Sequence, residues 1–455
     1  MQKSLLFKLL AIGALTLLIC IALAMISETV SERAAFRQQA VHSIATDSVR
    51  QQTIAGPVLV IPYDDAFEET VQGDGKDAPT SVRRVVHRKF FVFPNQLHID
   101  GAVETSRRYR GIHQVLVYGG QHRIKGDFTL PTLADLPRHG AGSRLTLGAA
   151  SIALGIEDVR GIRRIAQLDW NGAKHAFRQG TGVRALAHGL HAPLGTLALG
   201  QPARAAFTFE LDLDGIERLD IVPLGHHNSV TLKSNWPHPQ FGGQFLPLPR
   251  GRVINDQGFT AQWSISSLAS SAQQQLVALE GAPSAAMVAQ LDRFGVGFIE
   301  PVNIYSLAER ATKYGLLFVV LTFAAFFLFE VLKQLPIHPV QYLLVGLALA
   351  LFFLLLVSLS EHIDFLLAYL AASGACVLLI AYYLAAVLRD WRRGVGFGLA
   401  LATLYAALYG LLISENNALV LGSLLLFAIL AGVMIATRKV DWYGIGRNAP
   451  PALGA

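Results

Sequence analysis

Cysteine is almost absent: the chain has two, Cys20 and Cys376, and both fall inside long apolar runs. The polar stretch between the first two runs therefore has no disulfide to hold it, and its stability must come from a packed core, which a segment of that length can supply. Charge is sparse as well, and the centres of the apolar runs hold only neutral side chains. That argues against a proton-driven path through them, because ionisable groups within hydrocarbon are what mark such paths. His-Glu-x-x-His, Gly-x-Ser-x-Gly and Gly-x-x-x-x-Gly-Lys-Ser/Thr are all missing, so the sequence nominates no metalloprotease helix, nucleophile elbow or phosphate loop. The net charge of +6 is explained largely by cations beside the apolar runs and implies no nucleic-acid partner.

What is present is hydrocarbon-length helix. Leu5–Ile26, Gly315–Leu332, Val340–Leu359, Phe365–Leu388, Val395–Ile413 and Ala418–Ala436 each approach the roughly 20 residues needed to span a bilayer. Lys3, Lys8, Lys333, Arg389, Arg392, Arg393, Arg438, Lys439 and Arg447 all collect on one side of a six-span layout. The opposite connections, Ser360–Asp364 and Ser414–Asn417, carry no Lys or Arg. Positive residues stay cytoplasmic, which predicts cytoplasmic termini and an extracytoplasmic Ser27–Tyr314 segment. Ala22-Leu23-Ala24 resembles a signal cleavage site, but the run is longer than a usual h-region and leads without a breaker into helix-forming residues. The expectation is an uncleaved anchor.

Within the outer segment, apolar residues alternate and turn formers recur about every ten residues. Pro57–Tyr63 predicts a buried strand, and Ala205–Leu213 alternates Phe207, Phe209, Leu211 and Leu213 with polar residues. The expected fold class is a mixed membrane protein: a mainly-β, antiparallel, sandwich-like periplasmic domain plus a six-helix transmembrane assembly. Phe67–Thr80 and Gly189–Pro202 are expected to be surface loops. Asn235–Gly251 places Trp236, Phe241 and Phe245 among prolines and glycines, to cap a sheet edge or to present an aromatic patch. Gln273–Gln290 and Ile304–Lys313 are expected to be helical, the latter running into the second span. The expected divisions are an anchor (1–26), a periplasmic stalk (27–54), a β-rich domain (55–270), a connector (271–314), a five-helix bundle (315–436) and a cytoplasmic tail (437–455).

His188 with His191 and His226 with His227 are the nearest approach to metal-ligand spacing, and each pair lacks further ligands. No metal or cofactor is expected. Asp158 and Arg160 offer a structural charge pair at a turn. Glu330 and the Glu361-His362 pair lie at span ends, where charge is ordinarily solvated. The sharper expectation has Glu361 and His362 contacting the outer domain.

Several strings, in order, resemble the CreD family, inner-membrane proteins associated with cell envelope integrity in Gram-negative bacteria. They are Gly56-Pro57, Asp158–Ile162, Ser234–Pro239 with Phe245-Leu246-Pro247, Arg310–Tyr314, His338-Pro339 with Gln341–Gly346, Leu359–His362 and Asp441-Trp442-Tyr443. The resemblance spans nearly the whole chain. It implies an inner-membrane location, a role in envelope maintenance under stress, expression under a two-component system, and no enzyme activity. From these strings come the candidate functional or domain-bundle contact residues: Trp236, His238, Arg310, Lys313, His338, Gln341, Tyr342, Glu361 and His362. The expected partners are the lipid bilayer and an envelope component or lipid ligand. The expected role is non-enzymatic, with the β-domain binding or bracing that component. The alternatives are a lipid or small-molecule transporter, and a membrane-associated hydrolase using Glu361 and His362 with His338 or outer-domain histidines.

Overall fold

Side chains at the N-terminus cap three of the apolar helices of this computed structural model. His338 accepts the Val340 N–H through Nδ1 at 3.3 Å, Asp364 accepts from Leu366 at 2.9 Å, and Asp390 accepts from Arg392 at 3.0 Å. Each satisfies a backbone donor that a helix N-terminus leaves open. Residues 2–47, 49–71, 80–110, 113–140, 142–281, 290–300, 304–333, 337–388, 390–414 and 417–438 are described. The chain divides into two units: Met1–Gln38 with Val302–Ala455, and Gln39–Pro301.

The helices are α1 (Gln2–Asp47), α2 (Ala272–Glu280), α3 (Ile304–Lys333), α4 (Pro339–Ser360), α5 (Phe365–Val387), α6 (Trp391–Ile413) and α7 (Ala418–Thr437). Six of the described helices are long and apolar enough to cross a membrane, and α2 is the exception. The chain is thus a six-helix membrane protein with a β domain, as its hydropathy predicts. Ile19 and Leu23 of α1 pack with Phe323 and Phe326 of α3, Leu349 and Phe353 of α4, and residues of α5 and α6. Gly394 and Gly398 bring α6 close to α5, since a Cβ on either would stand 2.6 and 2.8 Å from the Cβ atoms of Ala385 and Ala381. Small residues four apart are how apolar helices approach in lipid.

The other unit carries eighteen described strands. They begin β1 (Gln52–Val71), β2 (Thr80–Val92), β3 (Gln96–Arg110), β4 (His113–Leu130), β5 (Arg144–Leu147) and β6 (Ala150–Ile156). There follow β7 (Ile162–Ile165), β8 (Leu168–Trp170), β9 (Ala173–His175), β10 (Arg178–Gln179), β11 (Gly189–Gly195) and β12 (Ala203–Ile216). The series ends with β13 (Arg218–Val222), β14 (His227–Ser234), β15 (Pro239–Gly243), β16 (Val253–Asn255), β17 (Gly258–Ser266) and β18 (Phe294–Phe298). One sheet runs β10-β11-β6-β1-β13-β18-β15, with β2 and β5 also on β1; the second runs β16-β17-β14-β3-β4-β12-β8-β9, with β7 on β12. Most pairs are antiparallel, but β1 with β13 and β14 with β3 are parallel.

The two sheets bury a shared core. Ile54, Leu59 and Ile61 of β1 meet Ile99, Ile124, Phe128, Phe209 and Leu211 of the second sheet. Each such side chain contributes about 1.5–3 kcal/mol when fully buried. Ala55, Val58 and Val60 point the other way and pack with Val183, Leu186 and Leu276 of α2. Burial on both faces explains the unbroken apolar run Pro57–Ile61. Gly56, at φ +108°, precedes a cis bond to Pro57 where the β1–β6 register shifts. A left-handed φ is what glycine adopts freely.

Two stretches expected to be loops are strand in part. β1 extends through Phe67–Val71, pairing with β2, and Gly189–Gly195 pairs with β10 and β6, burying Leu190 and Ala192. Glycine and proline signal turns only until a neighbouring strand supplies hydrogen bonds and cover. Residues 72–79 of the expected Phe67–Thr80 loop, residues 282–289 of the expected Gln273–Gln290 helix, Arg389, Lys439, Arg447 and Asp441-Trp442-Tyr443 lie outside the described residues, as do the side chains of Lys3, Lys8 and Lys333.

Candidate functional site

Cross-strand register on the outward face of the second sheet builds a groove. One row reads Thr231, Asp100, Arg123, Glu210 across β14, β3, β4 and β12; the next reads Lys233, Ala102, Gln121, Asp212; a third reads Glu104, Gly119, Asp214. Side chains alternate along a strand, so these rows share one face while Ile99, Ile124 and Leu211 point into the core. Ala102 and Gly119 are small, and they leave a trough between taller neighbours. Three recesses of about 560, 350 and 450 Å³ meet over Ala102. Their rims are charged. Arg123 pairs with Glu210 at 2.9 Å, Arg164 with Asp212 at 3.0 Å, and Arg163 with Asp214. Lys233 has no ion-pair partner among the described residues.

Beneath the groove floor sits a histidine that the sequence did not single out. His122 is buried on the core side of β4, and neither ring nitrogen has a hydrogen-bond partner among the described residues. The ring lies against Gly101 and Gly120, where a Cβ would stand 2.7 Å from Nδ1 and 2.5 Å from Nε2. Burial, opposed by the nearby Asp212 carboxylate, lowers its pKa from 6.5 to about 4. His122 is therefore a neutral core residue at pH 7. The alternation Tyr118, Gly120, His122, Ile124 was the signal that could have found it.

The Trp236 region closes a sheet edge. The indole N–H donates to the carbonyls of His238 and Ile299, both at 3.1 Å, and the His238 ring meets it edge-on at 5.9 Å. Phe241, on the edge strand β15, packs edge-on against Phe259 and Trp263, and Phe245 against Phe294. In the helical unit, Glu361 ends α4. Its Oε1 accepts from the Tyr305 hydroxyl at 3.1 Å and lies 3.9 Å from Arg33 Nε, so one carboxylate gathers α1, α3 and α4.

Comparison with known proteins bears on these positions together. The family model described as inner membrane protein CreD matches residues 4–443. The chain belongs to the CreD family. It is 35% identical over 449 residues to Inner membrane protein CreD of Escherichia coli, covering 97% of this chain and 95% of that relative. A two-domain M1 zinc metallopeptidase structure matches at 12% identity and a TM-score of 0.17, over 38% of this chain and 40% of its own; that likeness is too slight to carry an argument.

The remaining family strings fall into distinct places. His362 is exposed and turns Nδ1 back to the Ser358 carbonyl at 3.1 Å. His338 caps α4 while Gln341 accepts the His338 N–H through Oε1 at 3.2 Å, and the buried Tyr342 hydroxyl donates to Glu330 at 3.0 Å. Lys313 pairs with Glu309 one turn earlier at 2.8 Å, and Arg310 is half-buried on the same helix. His338 and Glu361 stand at opposite ends of a 22-residue helix, roughly 33 Å apart at 1.5 Å per residue, so they do not assemble one site. His188 is exposed, His191 Nδ1 contacts the Gly180 carbonyl, and His226 faces Ser267. The structure brings together Trp236 with His238, and Glu361 with two helices that the sequence could not name.

Proposed function

We propose that this chain is a non-catalytic protein of the inner membrane that supports envelope integrity under stress, with its β unit on the periplasmic side holding an envelope component in the groove over Ala102. The groove is the observation that carries this reading. Its floor is lined by small residues, its rim offers both signs of charge, and Gln121 adds hydrogen-bonding capacity. Such a lining suits a hydrated ligand, a polysaccharide or peptide strand, rather than an acyl chain. The sandwich interior, filled by residues such as Phe128, Phe209 and Trp263, favours surface binding over carriage of a lipid inside. The cation asymmetry along the spans supports the periplasmic placement. The engagement of Glu361 by Tyr305 and Arg33 supports a structural rather than a hydrolytic use of that carboxylate.

The test is genetic. Deletion should sensitise cells to envelope-directed antibiotics or detergents, wild-type protein should restore tolerance, and Ala102→Trp, which fills the groove from an exposed position, should reach normal abundance without restoring it. A deletion strain as tolerant as its parent to every such stress would sink the proposal.

A further inference from the structure

The α3–α6 contact is not closed along its length. A crevice of about 370 Å³ opens between them, with Leu321 and Ala325 on α3 facing Gly396, Ala400 and Leu404 on α6, and Arg393 at its mouth. On α6 these positions recur at helical spacing, so they form one continuous strip. Arg393 to Leu404 is eleven residues, roughly 16 Å at 1.5 Å per residue, which is about half of a 30 Å hydrocarbon core. The strip is the length of one leaflet.

The two faces of α6 differ in kind. Gly394 and Gly398 are occupied by close approach to Ala385 and Ala381, whereas a Cβ on Gly396 would meet nothing within 4 Å. The small residues on the crevice side therefore hold open space rather than a neighbouring helix. Alternation of the helices puts the start of α6 on the same side as the end of α3, so the mouth lies where a headgroup would lie. Arg393 shares Asp390 at 3.1 Å, and both side chains are partly exposed, at 38% and 35%. Such a pair is weak, and among the described residues it engages only the Nε of the guanidinium fork. Arg392 adds a second cation one residue earlier, at the positive end of the α6 dipole.

We propose that this crevice is a binding site for an anionic phospholipid, one acyl chain lying along Gly396, Ala400 and Leu404 and the phosphate held at Arg393. Basic pockets between membrane helices recognise anionic headgroups in this way. The site differs from ordinary lipid contact in pairing a one-leaflet apolar slot with a cation at its mouth.

The full-length protein, extracted in native-lipid discs and exchanged into mild detergent, is analysed by mass spectrometry for retained phospholipid, then challenged with phosphatidylglycerol or phosphatidylcholine. Wild type should retain the anionic lipid in preference to the zwitterionic one. Gly396→Leu, or Ala400→Leu one turn on, should lower retention of both while thermal unfolding stays at the wild-type temperature. Arg393→Gln should cut the anionic preference about tenfold, the value of one charge-assisted hydrogen bond, and Arg393→Lys should restore most of it. Equal retention of the two lipids by wild type, or unchanged retention in both occluding variants, would overturn the site.

Discussion

Arg160 closes on Asp158 two residues earlier, its Nη2 standing 2.6 Å from Oδ2 and its Nε 2.9 Å from Oδ1, while Nη1 donates to the Thr46 carbonyl at 2.7 Å. The same carboxylate accepts the backbone N–H groups of Arg50 and Arg160, both at 3.1 Å, and Gln52 bonds both backbone groups of Asp158. A charge pair that looks local in sequence thus fastens the end of α1 to the sheet.

Asp158→Ala should destabilise the β unit by about 2–3 kcal/mol, because it strips charge-assisted hydrogen bonds from partly buried donors. Burial works to raise the Asp158 pKa, but hydrogen bonds from Arg160 and Arg50 outweigh it and hold the group below 3.8. The stabilisation is therefore complete above that pH and is lost as pH falls through the depressed value. Hydrogen exchange at the amides of 49–55 measures it, and an Asp158→Ala variant with wild-type protection there would refute the tether.

Glu361→Gln should lower both abundance and melting temperature of the full-length protein. Tyr305→Phe, which removes one hydroxyl donor, should cost about 1 kcal/mol. His362→Gln should change neither, since its exposed ring hydrogen-bonds only to its own helix turn among the described residues. Loss of function in Glu361→Gln at unchanged abundance and stability would point back to a chemical role.

The pH dependence of His122 has a definite sign. Unfolded, the imidazole titrates near 6.5; folded, it titrates near 4, so between those values the unfolded chain binds the extra proton. Its contribution is full above pH 6.5 and falls with pH toward 4, by roughly 3 kcal/mol. His122→Met, similar in volume and without ring nitrogens, should flatten this slope. Hydrogen exchange of β4 at pH 7.5 and pH 5 reads it out, and an identical slope in the variant would rule His122 out as its source.

Gly120→Ala should be destabilising by about 1–3 kcal/mol through overpacking, because the new methyl would meet the His122 ring. His122→Ala in the same chain should relieve part of that loss. The coupling belongs in a double-mutant cycle, and strict additivity would show that the two positions do not meet.

Legibility followed the range of the interactions concerned. The apolar helices stand out because hydrocarbon thickness sets a length that one segment satisfies alone. Phe207, Phe209, Leu211 and Leu213 revealed their face because strand period is local, and all four are buried. The strand character of Phe67–Val71 and Gly189–Gly195 was hidden because β2 and β6 supply it from outside each segment.

By itself the sequence determined the family, the six apolar helices and a β-rich unit between the first two, since composition and period act within short windows. Only the tertiary structure decided that Gln52 pairs in parallel with Leu219, that Lys233, Ala102, Gln121 and Asp212 share one row, and that Arg33, Tyr305 and Glu361 converge. Those neighbours lie far apart along the chain. Their meeting depends on which long-range closures bury the most apolar surface at once, a competition among whole arrangements rather than a property of any segment.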